Sequence, residues 1–407
     1  MQQPSALRPP APEVKPRTGP HDASPALLTC SASAGTVIAM KTLFFPVFVA
    51  TLLVGAAGLS QADEGGPTFT FGAATSFVFD VDQPDHQVTH ENPKTYANGQ
   101  SEESFNIDLV QLGVSGSRGR VSYGAKVDYG DWADAVADNL DDEIALQEMY
   151  LAIDAGFGVI SAGRMPTPIG YEVVEPWANA NISRSRGWFY QPISHDGLAI
   201  AGEVGKFNLM AAVVNGMRVS DDDINNPDDE YGVIASFGVP VGGANLRVSA
   251  IYSDEKDEVR FLELNGVVSG TFERWRYGLE GTWLDGNGHG TVAPVPPDIS
   301  VGDVTGYGGA TFGNWSGDLR LSYTHQKGTN PAYADHHQEG IVSFTATGGY
   351  EIVEGVVLRA EYRIDSSNGD IFDDHNSLLG AGGPVGQTDL IHVVQVQLLW
   401  TPATGQK

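Results

Sequence analysis

The sequence predicts an all-β, transmembrane antiparallel β-barrel of about sixteen strands with a long third extracellular loop. Three observations carry that reading. Nearly every ordered stretch from Thr68 onward alternates apolar and polar residues with a period of two. The connections between those stretches alternate long and short, and one apolar run with the marks of an export signal precedes them all.

Composition fits a barrel better than a bundle of membrane helices. The 407 residues include 50 Gly, 17 Phe, 14 Tyr and 7 Trp, and only 41% are hydrophobic. A helical span needs roughly 20 nearly continuous apolar residues. A barrel strand needs one only at every second position, so its mean hydropathy resembles that of a soluble protein. The 51 Asp and Glu outweigh the 23 Lys and Arg, for a net charge of −28. Nucleic acid is thereby excluded as a partner, since holding phosphates takes clustered cations. The acidity suits solvated loops or the attraction of cations.

Met40-Lys41 opens a secretory signal, followed by the apolar run Leu43–Leu59 and the small-x-small exit Ser60-Gln61-Ala62. Residues 1–39 are Pro-rich, lack any apolar periodicity and would bury the charged start of that signal. They are expected to be a mis-called N-terminal extension. The organisation expected is therefore extension 1–39, signal peptide 40–62 and barrel 63–407. Removing 1–62 takes away Arg8, Lys15, Arg17 and Lys41 against Glu13 and Asp22, leaving a net charge of −30. It also removes Cys30, the one cysteine, which excludes disulfides and thiol catalysis in the mature chain.

Successive side chains of a strand point to opposite sides. In 355–365, Val356, Leu358, Ala360, Tyr362 and Ile364 share one face while Arg359, Glu361, Arg363 and Asp365 share the other. Trp275, Tyr277, Leu279 and Trp283 likewise oppose Arg276, Glu280 and Thr282. Leu319, Leu321 and Tyr323 oppose Arg320, Ser322 and Thr324. The strands read as 67–80, 102–115, 119–131, 143–154, 158–164, 196–204, 206–215, 230–238, 245–254, 258–268, 272–285, 304–313, 316–327, 338–350, 354–365 and 388–401. Residues 104–114 change face midway, as at a bulge. A soluble β-sandwich also alternates. The export signal, the length of the strands and the recurrent charged faces favour a tilted crossing around a wet lumen. Short turns then lie on one rim and long loops on the other, and only 255–257 breaks the alternation.

The longest connection follows Arg164. Gly163-Arg164, Pro168-Ile-Gly-Tyr-Glu172, Asn181-x-Ser-Arg-Ser185 and Pro192-x-x-His195-x-Gly197 resemble the second, OmpL-like family of β-barrel porins. The resemblance implies a Gram-negative outer-membrane barrel over the whole mature chain, in contact with outer-membrane lipids. It implies passive diffusion of small hydrophilic solutes or ions, and a homo-oligomer is an accompanying expectation. The chain lacks the aromatic last residue many such barrels carry and ends in a short tail after Trp400.

In many porins the third loop folds inward and narrows the lumen. Facing carboxylates and guanidiniums there set up a transverse field that sorts solutes. Arg164, Glu172, Glu175, Arg184 and Arg186 are the candidates for such a constriction; the alternative is that these charges pin the loop to the wall. Trp177, Trp188, Phe189 and His195 are expected to pack the loop. Ser194-His195-Asp196 contains the letters of a catalytic triad, but neighbours in a strand face apart. Neither the acidic run Asp221–Glu230 nor His336-His337 has the spacing of a metal loop. No enzyme, cofactor or metal is therefore expected. The rival readings are a non-conducting outer-membrane barrel acting as adhesin or structural anchor, which a plugged lumen would mark, and an outer-membrane hydrolase.

Overall fold

The structure, a computed structural model, describes residues 66–80, 104–133, 144–217, 231–255, 259–287, 299–329, 336–368, 372–374, 386–388 and 390–400. The expected extension 1–39, signal peptide 40–62, acidic run 221–230 and tail 401–407 lie outside the described residues, as do the side chains of His336 and His337.

Among the described residues there are eighteen strands: β1 (Thr68–Asp80), β2 (Ser104–Arg118), β3 (Val121–Tyr129), β4 (Ile144–Asp154), β5 (Val159–Pro166), β6 (Ser194–Val204), β7 (Phe207–Val214), β8 (Tyr231–Val241) and β9 (Ala244–Asp254), then β10 (Arg260–Phe272), β11 (Trp275–Asn287), β12 (Ile299–Phe312), β13 (Trp315–Thr329), β14 (His336–Val353), β15 (Val356–Ser367), β16 (Phe372–Asp374), β17 (Gly386–Thr388) and β18 (Leu390–Trp400). Sixteen of them close a barrel, each pairing antiparallel with its neighbour in sequence. The seam is β1 against β18, with Phe77 opposite Val396. Closure leaves no edge strand and satisfies the spanning backbone within the ring, as a bilayer requires. Each of the sixteen sequence-predicted strands corresponds to a barrel strand, with ends shifted by a few residues. The pair β16–β17 is a separate two-stranded sheet in the last long connection, and sequence periodicity gave no sign of it.

Burial is inverted relative to a soluble protein. Leu319, Leu321 and Tyr323 are exposed, whereas Arg320, Ser322 and Thr324 are buried. The same holds along β15, where Leu358 and Tyr362 are exposed and Arg359, Glu361, Arg363 and Asp365 are not. Exposed aromatics gather at both ends of the outward face. Phe272, Trp275, Phe312, Trp315 and Trp400 lie at the short-turn rim, and Phe79, Phe105, Tyr231 and Tyr323 toward the long-loop rim. Such girdles seat amphipathic rings at the two membrane interfaces. Some pair, as Trp315 does with Tyr350 at 4.6 Å between ring centroids. Most hairpins on the short-turn rim have two residues, and the one between β4 and β5 has four. Gly205 (φ 65°) and Gly242 (φ 62°) supply the left-handed conformation such tight turns demand.

Two bulges re-aim side chains into the lumen. Ala74 pairs with Leu109 and Thr75 with Ile107, so Asp108 is the extra residue and both Asp108 and Leu109 are buried. This is the change of face that the sequence predicts within 104–114. Lys126 pairs with Glu148 and Val127 with Leu146, which brings Gln147 and Glu148 to the same side.

The lumen is not uniformly wet. Between β6 and β12, toward the long-loop rim, Ala212, Val214, Ile234, Ile251, Phe261 and Leu284 pack with Met165 and Ile169 into an apolar cluster. Strands such as Phe207–Val214 are apolar on both faces for this reason. Ser322, expected to face water, is only 2% exposed. An arginine on the outward face at Leu321, 58% exposed at mid-strand, is expected to cost about 2–4 kcal/mol. At Ser161, half-buried and opposite Ala152 and Ala199, the same change should cost markedly less. Guanidinium unfolding in lipid vesicles, with gel mobility unboiled and boiled, checks both.

Candidate pore constriction

The third long connection, residues 167–193, begins where the wall loosens. β5 pairs with β6 as far as Pro166 opposite Ser194, but its pairing with β4 stops at Met149 opposite Arg164. The carbonyls of Leu146 and Gln147 lie beyond that point and accept from Arg164 Nη1 (2.9 Å) and Ser194 Oγ (2.7 Å). Arg164 also grips Asp196 through Nε and Nη2, at 2.8 and 2.7 Å. It thus fastens three strands at the neck of the loop. His195 closes the neck with a 3.0 Å contact to Thr167 Oγ1.

From the neck the loop runs inward, and lumen side chains take up its backbone. Ser249 donates to the carbonyl of Pro168 (2.9 Å) and Arg247 to that of Gly170. Asn265 Oδ1 accepts from Gly170 N–H and Glu280 from Tyr171 N–H. Gln191 on the returning arm donates to the same Glu280 at 2.8 Å. Further round the ring, on β15, Glu361 accepts from the N–H groups of Ile182 and Ser183 (2.6 and 3.0 Å) and from Ser183 Oγ (2.5 Å). Arg320 donates to Ser183 O, Arg363 to Arg184 O and Arg359 to Asn179 O, at 2.6, 2.6 and 2.7 Å. Asn181 bonds Thr347 at 2.7 Å. The loop is therefore held by two adjoining stretches of the wall, β9–β11 and β13–β15, with β12 between them.

The five candidate charges divide into distinct roles. Glu172 pairs with Arg320 at 2.7 Å, and Glu175 with Lys126 at 2.9 Å. Arg186 lies 3.5 Å from Asp365. Arg184 is 0% exposed and serves the loop itself. Its guanidinium donates to the carbonyls of Val173, Val174 and Ile182 at 2.8–2.9 Å and lies 4.6 Å from the Trp132 ring centroid. The expected facing of Glu172 and Glu175 against Arg184 and Arg186 is replaced by pairing of Glu172, Glu175 and Arg186 with wall residues. Sequence reasoning placed Arg320, Arg359, Glu361 and Arg363 on the charged strand face without assigning them to the loop. For the last three the alternation Arg-x-Glu-x-Arg-x-Asp along β15 was the available signal.

The aromatics pack as a unit. Trp188 meets Trp132 edge-on at 5.5 Å and Phe189 at 5.1 Å, in a cluster with Leu109, Ala145 and Val174. Trp177 lies over Gly72 of β1, where a Cβ would overlap its ring. Ser194, His195 and Asp196 are engaged with Gln147, Thr167 and Arg164 respectively and form no triad.

Burial alone would raise the carboxyl pKa of Glu172. The Arg320 and Arg184 guanidiniums and the Ser185 N–H outweigh it and hold it below the usual carboxylate value. Glu175 is held low against burial in the same way by Lys126 and Gln147. Burial draws the Arg184 guanidinium down to about 10, which leaves it charged at neutral pH. Because the folded values of Glu172 and Glu175 are depressed, the stability they lend the loop is complete above the ordinary carboxylate value of 4.5. It is lost as pH falls through the lowered values. The near-UV circular dichroism of the packed tryptophans should hold down to that pH and change only below it. Glu361→Ala, which leaves two buried N–H groups without their acceptor, should weaken the loop's attachment by about 1–3 kcal/mol for each. The near-UV signal should then be lost at lower denaturant than the barrel's far-UV signal.

The family described as "Putative beta-barrel porin-2, OmpL-like" matches residues 69–378. No curated protein matches the chain. Among solved structures the barrel is similar to in-vitro folded OmpT in its trimer form, an outer membrane protein of Vibrio cholerae, with 12% identity and a TM-score of 0.55 over 83% of this chain and 99% of that one. It is similar to the outer membrane channel DcaP of Acinetobacter baumannii (9% identity, TM-score 0.53, 84% of this chain and 99% of that one). An anion-selective porin from Comamonas acidovorans shows 13% identity and a TM-score of 0.52 over 83% and 99%. At such identities the likeness is one of fold alone.

Proposed function

The chain belongs to the OmpL-like family of β-barrel porins in the outer membrane, and on that footing we propose that it passes small hydrophilic solutes and ions by passive diffusion. The third loop sets the width of the passage. The observation that carries this reading is the loop's attachment to three separate strands, β13, β3 and β15, by Glu172–Arg320, Glu175–Lys126 and Arg186–Asp365. Charges drawn into a lumen cost solvation unless they are paired. An arrangement that pairs them across the barrel's interior sets a cross-section as well as a fold. Arg164 keeps the neck in place, and Arg184 with Trp132, Trp177, Trp188, Phe189 and His195 keeps the loop compact. A homo-oligomer belongs to the same reading, supported by the likeness to a barrel described in its trimer form.

A second reading has its own observation. The apolar cluster around Ile234, Ile251, Phe261 and Leu284 fills part of the lumen beside the loop. A barrel closed by both is a non-conducting anchor or adhesin. Single-channel recording in a planar bilayer separates the two. The channel reading expects steady steps from the wild type, and larger or noisier steps from Glu361→Ala, in which the loop is partly released. Silence from both proteins, with heat-dependent gel mobility intact, contradicts it and favours the anchor.

A further inference from the structure

Several glycines of the barrel wall are taken up by the protein's own packing. Gly72, Gly270 and Gly278 lie against the rings of Trp177, Tyr277 and Tyr171, where a Cβ would overlap them. Gly308 of β12, Gly317 of β13 and Gly348 of β14 differ. Each adjoins a buried lumen residue, Tyr307, Asp318 and Thr347 respectively, and so faces outward. A Cβ at any of the three would meet no atom of the described residues within 4 Å. A glycine inside a strand weakens it and often marks a place where something else approaches closely. Here that something lies outside the barrel.

The three glycines floor a groove of about 740 Å³ together with Ala310 and Ala346. That volume lies within the range of about 300–1,000 Å³ usual for ligand sites. Ala310, Gly317 and Gly348 stand side by side across three strands, and Gly308, Leu319 and Ala346 form the next row. Trp275 and Tyr277 wall one flank and Phe312 the end toward the short-turn rim. Trp275 meets Phe312 edge-on at 6.1 Å. The floor is deep, for Ala310 is only 4% exposed although it faces outward. At the rim end stands Arg274, in the turn between β10 and β11. Its carbonyl accepts from Thr311 N–H (3.1 Å), and its guanidinium lies 5.1 Å from the Phe312 ring centroid. That ring contact holds an exposed cation over the membrane face of the wall. Glu273, beside it in the turn, is exposed and leaves the guanidinium to Phe312.

We propose that this groove holds one acyl chain of a glycerophospholipid, with the lipid's phosphate on Arg274. The short turns of outer-membrane barrels lie at the periplasmic interface, which is the level of the headgroups. A flexible chain laid on a floor of glycine and alanine gains close contact along its length. A second copy of the barrel fits less well. Its convex wall would rest on Trp275, Phe312 and Trp315, all at least half exposed, and leave the floor empty. It would also cover Arg274 without a counter-charge, which costs solvation. A phosphate supplies that charge in a geometry a guanidinium favours. The site lies on the outside of the barrel and stands whether or not the lumen conducts.

Native mass spectrometry of the folded barrel in detergent, titrated with dioleoylphosphatidylglycerol, tests this. The wild type should retain one lipid per chain at saturation. Gly317→Leu, which fills the groove, should lose it. Gly266→Leu, at an outward glycine that also faces open space but lies outside the groove, should keep it. Arg274→Gln should weaken retention about fivefold, the worth of one basic residue at a headgroup surface. Dioleoylglycerol, which lacks the phosphate, should be held about as weakly by the wild type and be indifferent to Arg274→Gln. Unchanged retention in Gly317→Leu, with normal unboiled gel mobility, overturns the groove. Unchanged retention in Arg274→Gln, or dioleoylglycerol held as firmly as the phospholipid, overturns the role of Arg274. A Gly317→Leu protein that keeps its lipid but falls to a smaller assembly gives this face to a second copy and overturns the proposal. Wild-type uptake that rises with added lipid and never saturates marks an adventitious additive only, and overturns it too.

Discussion

A loop carried into a closed ring of strands must find a hydrogen-bond partner for each of its buried backbone groups, and the lumen wall is built around that need. Glu361 accepts from two consecutive N–H groups, and Arg320, Arg359 and Arg363 donate to three carbonyls. On the other side Asn265 and Glu280 accept from Gly170 and Tyr171. Each side chain that does this is itself charged or strongly polar and would be costly to bury alone. The cost is offset because the charges also pair, Arg320 with Glu172 and Arg363 with Asp365. Removing one partner strands the other, so the wall and the loop depend on each other.

The barrel was legible in the sequence because its signal repeats. Period two, long strands and sorted loops recur many times over, and a miscounted end changes little. The third loop stood out by length and by its motifs. Its internal contacts did not, because they join residues far apart in the chain. Asn181 and Thr347 are 166 positions apart, and Arg359 and Asn179 are 180 apart. No local pattern ties such residues together. Arg184 illustrates the difficulty. Its charge and position suggest a pore lining, yet its three carbonyl contacts and the Trp132 ring put it in the loop's own core. The apolar half of the lumen had a weak signal in Phe207–Val214, which is greasy on both faces where a barrel strand should alternate.

Local charge and net charge point in different directions here. The chain is strongly acidic, but most carboxylates around the loop, Glu172, Glu175, Glu280 and Glu361 among them, are bonded and buried while Lys126, Arg247 and Arg276 retain contact with water. Selectivity is set where a passage is narrow and screening is poor. Net charge is therefore a poor guide to what such a barrel admits, and exposure of the individual groups is a better one.

All of this depends on the loop lying across the lumen against β14 and β15. The most direct measurement is a disulfide between Asn181→Cys and Thr347→Cys, whose native side chains touch at 2.7 Å, with Cys30→Ser so that no other thiol remains. With the loop in place, mild oxidation of the outer-membrane protein should close the bridge and shift its boiled, non-reduced gel mobility. Two free thiols that both react with a membrane-impermeant maleimide from outside would contradict it.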